Sequence, residues 1–343
     1  MLESAMLTND SREKMRFLPI VVLSGWMLLV PAFSGGSVQA DETYKNPVLS
    51  ETFYSPIYGK IGIGDPTVIH HDGKYYLYPT GDNHSYYVYI ATDLVQWKKG
   101  PMVFWSAESG VWAPDVLFNP PDKKFYLYYT VNRRVGVAVA DSPEGVFEDL
   151  GTLINNAIDA NMFLDDDGRY YLYYAEYPAF RVHVQPMETP VRKKGEPLEI
   201  IRPDKRWEMK QREVNEAPWM LKREGTYYLL YSGGGPDTED YAIGYAASKS
   251  PIGPFSKYAG NPIVKKGDGV FGPGHCATIK TPDGKLWMIY HQKREGKKGW
   301  DRIICIDALW FDEKGVLHGK ATRSEPQLAP FTGAGSDNDR KRL

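Results

Sequence analysis

The sequence is poor in cysteine, with only Cys276 and Cys305 among its 343 residues. Two thiols are too few to form a zinc site on their own. An oxidising compartment would allow them to pair, but the sequence does not reveal the geometry that a disulfide needs. Two buried free thiols are an equally good interpretation.

The chain also lacks an excess of either charge. It has 41 basic and 43 acidic residues, which gives a formal net charge of −2, and no run of lysine or arginine interrupts its body. Electrostatic attraction to a polyanion therefore has no basis in this sequence. We expect no nucleic-acid partner.

Long apolar runs are missing except near the N-terminus. Basic residues there precede the apolar run Phe17–Phe33, and small residues follow, with Val38 and Ala40 placed for cleavage. This order is typical of a signal peptide. An uncleaved anchor helix is the alternative, but proline and glycine interrupt the run, which barely reaches the length of a membrane span. We predict that residues 1–40 are a signal peptide, that the mature chain has no membrane span, and that the protein is exported, to the periplasm or outside the cell.

Long helical patterns are absent as well, which excludes helical solenoids and doubly wound sheets. Instead, one pattern occurs five times: a tight turn, then a basic residue or threonine, then a strand rich in aromatic residues. Turns of the Asp-Gly type followed by such strands indicate hairpins. The repeated position falls, at spacings of 50, 45, 57 and 59 residues, on Lys74, Lys124, Arg169, Thr226 and Lys285.

Repeats of this length indicate propeller blades, each of which is a small antiparallel sheet. We therefore predict that residues 45–325 form one all-β domain, a five-bladed β-propeller. Residues 332–343 are polar and charged and predict a disordered tail.

Four of the five repeats carry an acidic residue where their first strand begins. A propeller gathers these innermost strands around a central channel. One such residue would be read as a turn acceptor beside a proline, but several around one channel raise one another's pKa and indicate a chemical or metal-binding use. They are Asp65 in Gly-Asp-Pro, Asp115 in Trp-Ala-Pro-Asp, Asp159 in Ile-Asp-Ala and Glu216 in Glu-Ala-Pro-Trp, while the fifth repeat has His275 in Pro-Gly-His.

These motifs, in this order, resemble those of glycoside hydrolase family 43, a family of five-bladed propellers that includes arabinofuranosidases, β-xylosidases and arabinanases. The resemblance covers nearly the whole predicted mature chain, and Glu-Ala-Pro-Trp-Met is its most specific piece. It implies that Asp65 is the general base, that Glu216 is the general acid, and that Asp159 orients the acid and adjusts its pKa. The first motif reads Ile-Gly-Asp-Pro where the family usually has Asn-Pro-Asp-Pro, so Gly64 changes the wall beside the base.

Inverting hydrolysis uses residues of these types, because an acid and a base must flank the bond and leave room for a water molecule. The acid must stay protonated near neutral pH, which burial and a neighbouring negative charge achieve.

Five further residues are predicted to contact the substrate or to support that contact. Aromatic rings offer an apolar face to a sugar, although core packing is their more usual role. An arginine in an apolar strand needs a partner if it points inward, and otherwise faces solvent. The five are Trp112, Asp115, Trp219, Phe271 and Arg302.

His275 resembles a histidine that lies near a calcium ion at the channel centre of several family members. Calcium prefers oxygen ligands, so a hydrogen-bond donor lining the channel is the equal alternative. The corresponding prediction is a structural calcium ion, with no cofactor required for the reaction.

The sequence thus predicts an exported, inverting glycosidase that cleaves polysaccharides or oligosaccharides containing arabinose or xylose. Exo action as an α-L-arabinofuranosidase or β-xylosidase is favoured, because the insert at 186–211 could close one side of a pocket. An endo-acting arabinanase would need an open groove. A carbohydrate-binding propeller without activity would lack one of the three catalytic carboxylates, and the motifs of retaining fructan hydrolases and of Trp-Asp repeat propellers are absent.

Overall fold

The structure is a computed structural model that describes residues 42–333. The predicted signal peptide and nearly all of the predicted tail lie outside this range. Every regular element between Glu42 and Gly333 is a β-strand. No helix within these residues could cross a membrane.

Three short strands precede the blades: β1 (Thr43–Tyr44), β2 (Thr52–Ser55) and β3 (Gly59–Gly62). β2 and β3 form a hairpin, whose turn carries Tyr58. β1 pairs with the last strand of the described chain, which is Gln327–Leu328.

Five antiparallel sheets follow, each made of strands that are consecutive in the chain. Blade one contains β4 (Gly64–His71), β5 (Lys74–Thr80), β6 (Ser85–Ala91) and β7 (Lys98–Trp105). Blade two contains β8 (Trp112–Asn119), β9 (Lys124–Val131), β10 (Arg134–Ala140) and β11 (Glu148–Asn155). Blade three contains β12 (Ala157–Leu164), β13 (Tyr170–Glu176), β14 (Val182–Thr189), β15 (Arg192–Lys193) and β16 (Leu198–Ile201).

Blade four contains β17 (Glu216–Arg223), β18 (Thr226–Gly233), β19 (Ala242–Ser248) and β20 (Ser256–Lys257). Blade five contains β21 (Gly274–Lys280), β22 (Leu286–Lys293), β23 (Arg302–Phe311) and β24 (Leu317–Gly319), and the terminal strand Gln327–Leu328 is β25. The first strands of successive blades contact one another, and β21 returns to β4, which closes the ring. The prediction of a five-bladed all-β propeller is confirmed.

The aromatic-rich segments that revealed the repeat form the second strand of each blade. Tyrosines on these strands are buried, because both faces of the strand pack against neighbouring blades, and several of their hydroxyl groups reach acceptors across the blade interface. The Tyr128 hydroxyl donates to the Pro190 carbonyl at 2.8 Å, and that of Tyr173 to the Pro251 carbonyl at 2.7 Å. Satisfying the hydroxyl inside the core removes the cost of burying it.

Each first strand contains a β-bulge close to its start, where its register against the second strand shifts. The bulge holds one non-glycine residue in the left-handed region, a strained conformation that redirects the side chain. The residues are Asp65 (φ 47°), Ala113 (φ 43°), Asp159 (φ 58°), Ala217 (φ 52°) and His275 (φ 50°).

The bulges correct the sequence alignment of the four acidic residues. Asp65 and Asp159 do occupy the same position in their blades. Glu216 lies one residue before that position, and Asp115 lies two residues after it. An offset of one residue turns Glu216 to the other side of its strand. The bulge interrupts the alternation between Ala113 and Asp115, so Asp115 does not keep the direction of Asp65 and Asp159 either.

Candidate active site

A pocket of about 290 Å³ forms where the first strands of the blades begin. All three predicted catalytic carboxylates line it, together with three other residues singled out from the sequence. These six are Asp65, Asp159, Glu216, His275, Trp112 and Arg302.

Asp65 is surrounded by nitrogen atoms. Arg302 donates from Nη1 to Asp65 Oδ1 at 2.6 Å, and the Nδ1 atoms of His275 and His291 lie 3.3 and 3.2 Å from the same oxygen. Burial alone would raise the pKa of Asp65, but the Arg302 guanidinium, and after it His275, hold that pKa well below its ordinary value. Asp65 is therefore a carboxylate at any pH at which the protein is expected to work.

His291 supports Asp65 as a neutral imidazole. Its side chain is fully buried, and burial lowers its pKa to about 4. Its Nδ1 accepts a hydrogen bond from the Asp65 backbone N–H at 3.1 Å, which places the ring proton on Nε2. The contact fixes the strained backbone of Asp65.

Gly64 leaves room for the Arg302 guanidinium. A Cβ at position 64 would lie 2.4 Å from Arg302 Cζ and 2.4 Å from its Nε, far inside van der Waals contact. The unusual glycine in the first motif therefore has a physical reason, since arginine occupies the space that a side chain at 64 would fill.

Glu216, in contrast to Asp65, lies in surroundings that favour its protonated form. Its side chain is buried and accepts one hydrogen bond, from the Tyr241 hydroxyl at 2.9 Å. Burial raises the pKa of Glu216 to about 7, the Tyr241 hydrogen bond opposes the rise, and the negative charge of Asp65 adds to it. A carboxylic acid with this pKa keeps its proton in mildly acidic solution, as a proton donor must.

Asp159 holds the segment that carries Glu216. Its Oδ2 accepts a hydrogen bond at 3.0 Å from the backbone N–H of Ala217, the next residue after Glu216. Burial raises the pKa of Asp159 to about 7, the nearby His275 lowers it, and the charges of Glu216 and Asp65 raise it. Asp159 thus holds the backbone next to the acid and shares with Glu216 a raised pKa.

Asp115 lies outside the pocket lining, because its offset from the bulge turns it between the blades. Its carboxylate accepts hydrogen bonds from Thr67 Oγ1 at 3.0 Å, from the Met162 backbone N–H at 2.7 Å and from Asn161 Nδ2 at 3.3 Å. It therefore joins the first strands of three blades, and it supports the site without lining it.

Two of the predicted aromatic contacts also lie outside the pocket lining. Trp219 donates from Nε1 to Thr278 Oγ1 at 2.9 Å and packs between blades four and five, and Phe271 packs beside Gly296. Trp112 does line the pocket, and its Nε1 donates to Asn83 Oδ1 at 2.8 Å.

The insert at 186–211, which was expected to close one side of the pocket, does not line it. It forms the end of β14, the outer strands β15 and β16, and part of the connection to blade four, and none of its residues lines the pocket. Rings of Tyr58 and Trp300, whose centroids lie 6.3 Å apart in an edge-to-face arrangement, form a wall instead.

Sequence reasoning missed several residues of the site: His291, Tyr241, Arg133, Arg212, Tyr177 and Phe180. Alternation along the strand Leu-Trp-Met-Ile-Tyr-His could have marked His291 as an inward-facing polar residue. The other contacts join loops that are distant in the chain, and no local pattern marks them.

The calcium prediction stays a prediction. Between Glu42 and Gly333 no group of three His, Cys, Asp or Glu side chains has a geometry that could hold a metal ion. His275 instead faces Asp65 at 3.3 Å and Asp159 at 3.9 Å. In the same range, Cys276 and Cys305 are buried free thiols.

Comparison with known proteins decides the family, because residues 45–317 match the family model of the glycosyl hydrolases family 43. The chain belongs to glycoside hydrolase family 43. It is 32% identical over 285 residues to a β-D-galactofuranosidase of Aspergillus niger, covering 74% of this chain and 81% of that one. It is 25% identical to an extracellular endo-α-(1→5)-L-arabinanase of Bacillus subtilis, covering 82% and 73% of the two chains.

Solved structures agree with this assignment. A thermostable family 43 glycoside hydrolase superimposes with a TM-score of 0.73 at 34% identity, covering 82% of this chain and 99% of the other. An endo-1,4-β-xylanase from Bacteroides thetaiotaomicron gives a TM-score of 0.71 at 32% identity, with coverages of 80% and 97%. The chain is therefore a glycosidase, as predicted from the sequence.

Proposed function

We propose that this family 43 glycosidase hydrolyses its substrate with inversion, with Asp65 as the general base and Glu216 as the general acid. The observation that carries the proposal is the contrast between two carboxyl groups in one pocket: Arg302 donates to Asp65 at 2.6 Å, whereas buried Glu216 accepts a hydrogen bond, within the described residues, only from the Tyr241 hydroxyl. These surroundings hold the pKa of Asp65 well below its ordinary value and raise that of Glu216 to about 7. Two carboxyl groups whose environments push their pKa values apart have the properties of a base and an acid.

The proton movements follow from these states. Asp65 accepts a proton from a water molecule as that water attacks the anomeric carbon, and Glu216 gives its proton to the departing glycosidic oxygen. Asp65 ends protonated and Glu216 ends as a carboxylate, so each must exchange a proton with solvent before the next turnover. Arg302 keeps Asp65 deprotonated and aligned, and Asp159 fixes the backbone next to the acid.

The size of the pocket supports exo action. Its volume of about 290 Å³ is just below the ~300–1,000 Å³ range of small-molecule sites, which favours a terminal sugar over a long internal stretch of polymer. We propose α-L-arabinofuranosides and β-D-xylosides as substrates. The Aspergillus niger relative adds β-D-galactofuranosides, whose ring has the configuration of an α-L-arabinofuranoside with one more exocyclic carbon.

Action outside the cytoplasm is part of the same proposal. The pattern of residues 1–40 is typical of a signal peptide, and the Bacillus subtilis relative is named as extracellular. An exported enzyme can reach polymeric glycans without their being transported into the cell.

The test is hydrolysis of the 4-nitrophenyl glycosides of these three sugars by wild type, Glu216→Ala and Glu213→Ala. Glu213 is exposed and outside the pocket lining, so its variant is a matched control. We expect wild type and the control to cleave at least one glycoside. Glu216→Ala should lose ~10²–10⁴-fold on a natural oligosaccharide of that sugar, the usual contribution of a general acid.

Equal loss in the two glutamate variants would refute the role of Glu216. Failure of wild type on all three glycosides would refute the proposed sugars and require a wider glycan screen. The natural oligosaccharide is included because nitrophenol leaves without much help from an acid.

A further inference from the structure

The mouth of the pocket carries an arginine without an acidic partner. Arg133 lies in the turn between β9 and β10, where its φ is 62°, and its backbone carbonyl accepts a hydrogen bond from Ala157 N–H at 3.0 Å. Its guanidinium lies over the ring of Tyr177, with Cζ 5.0 Å from the ring centroid, and both residues line the pocket. Arg133 forms no ion pair with any residue in 42–333, whereas the adjacent Arg134 is paired with Glu108 at 2.5 Å.

A second exposed arginine lines the same pocket. Arg212 lines the pocket and is paired with Asp237, and its side chain is 47% exposed. Lys298 Nζ also lies 3.6 Å from Asp237 Oδ2, so this one carboxylate is close to two cations. Arg133 and Arg212 thus give the pocket lining two exposed guanidinium groups, and only that of Arg212 has an acidic partner among residues 42–333. We call Arg133, Tyr177, Phe180 and Arg212 the cationic rim.

The charge of the rim is opposite to that of the pocket floor. Asp65 is ionised at the floor, and Asp159 and Glu216 lie near it, so an anionic group on the sugar undergoing cleavage would be repelled there. At the rim, by contrast, guanidinium groups offer the forked N–H donors that suit carboxylate and sulfate groups. The cation–π contact with Tyr177 holds the Arg133 guanidinium near the ring, and no carboxylate in residues 42–333 pairs with it.

We infer that the cationic rim is a subsite for an anionic substituent, a carboxylate or a sulfate ester, on a substrate sugar adjacent to the one that is cleaved. The substrate would then be an acidic polysaccharide or oligosaccharide with neutral terminal sugars. This inference rests on the proposed glycosidase function, but the binding test below does not require turnover.

The experiment measures binding by titration calorimetry to the full-length protein. The probes are galacturonic acid trisaccharide, galactose trisaccharide of the same length, and galactose trisaccharide carrying sulfate esters, each at low salt. The variants are Arg133→Gln, Arg133→Lys and, as a matched control, Arg134→Gln, because Arg134 is the neighbouring arginine but does not line the pocket. The 4-nitrophenyl glycoside assay is run on the same preparations.

We expect wild type to bind at least one anionic trisaccharide more tightly than the neutral one, by ~3–10-fold, as a charge-assisted contact at a partly exposed site allows. Arg133→Gln should abolish this preference, Arg133→Lys should retain part of it, and Arg134→Gln should retain all of it. Salt at about 0.5 M should reduce the preference, because exposed charges are screened. Whether uronate or sulfate shows the preference identifies the group.

Three results would overturn the subsite: no preference for either anionic probe in wild type, no binding of any probe, or equal loss of preference in Arg133→Gln and Arg134→Gln. The last result would show a general effect of net charge. A protein that prefers the anionic probe but hydrolyses none of the three glycosides would retain the subsite and refute the proposed sugars, so the two failures are distinguishable.

Discussion

Removing the hydroxyl group of Tyr241 should raise the pKa of Glu216 further and extend activity to higher pH. That hydroxyl donates to Glu216 Oε1 at 2.9 Å, which stabilises the ionised form and lowers the pKa of the acid against the effect of burial. Tyr241→Phe keeps the ring, which stacks on His291 with centroids 5.6 Å apart. The substitution therefore removes one hydrogen bond and leaves the packing in place.

The size of the effect can be worked out from these contacts. A hydrogen bond to a charged group contributes ~1.5–3 kcal/mol, and one pKa unit corresponds to ~1.4 kcal/mol. The pKa of Glu216 should rise by about one unit, because water entering the space would replace part of the lost bond. The alkaline limb of the profile, near pH 7 in wild type, should move to about pH 8.

The assay is the pH dependence of kcat/KM on the glycoside that wild type cleaves best. Tyr173→Phe is the control, since it removes a buried tyrosine hydroxyl bonded to the Pro251 carbonyl, away from the pocket, and should leave the profile unchanged. An alkaline limb that stays in place or moves to lower pH in Tyr241→Phe would refute the assignment of Glu216 as the group that titrates there.

Two other substitutions test the base and the positioning residue. Gly64→Ala should displace the Arg302 guanidinium, because the added Cβ would occupy its space, and the pKa of Asp65 should then rise. The acid limb of the kcat/KM profile should move to higher pH, and the rate should fall at least ~10-fold. An unchanged profile would contradict this. Asp159→Asn tests how the raised pKa of Asp159 affects folding stability. That pKa is about 7 in the folded protein and 3.8 ordinarily, so between these pH values the folded state binds a proton that the unfolded state has lost. The free energy of unfolding of wild type therefore falls as pH rises through this range. Urea unfolding at pH 4, 5.5 and 7 should show the variant gaining on wild type by up to ~1.4 kcal/mol per pH unit, and a constant difference would contradict the raised pKa.

The fold could be predicted from the sequence, because each copy of the repeat is recognisable within a short stretch of the chain. A turn at Lys74 or Lys285 and the tyrosine-rich strand after it need no distant contact to be recognised. The spacing of the copies then predicted five blades, as the structure has them. The boundaries 45–325 stay a prediction, although the strands of the five blades run from Gly64 to Gly319.

The site was predictable only in part, because a bulge cannot be read from an alignment. The repeats place four acidic residues at matching positions, yet the bulges direct Asp65, Asp159 and Glu216 to the pocket and turn Asp115 between the blades. Their roles in catalysis stay predictions. The sequence also could not predict that the Arg302 guanidinium packs against Gly64, since the two residues are more than two hundred positions apart in the chain.

The stereochemistry of hydrolysis tests the central proposal most directly. Wild type would be mixed with the glycoside it cleaves in deuterated water, and the anomeric proton of the first product recorded by nuclear magnetic resonance before mutarotation. If Asp65 activates water for direct attack and Glu216 protonates the leaving oxygen, the first product has the anomeric configuration opposite to that of the substrate. A first product with retained configuration would contradict the account, since it would require a carboxylate acting as nucleophile.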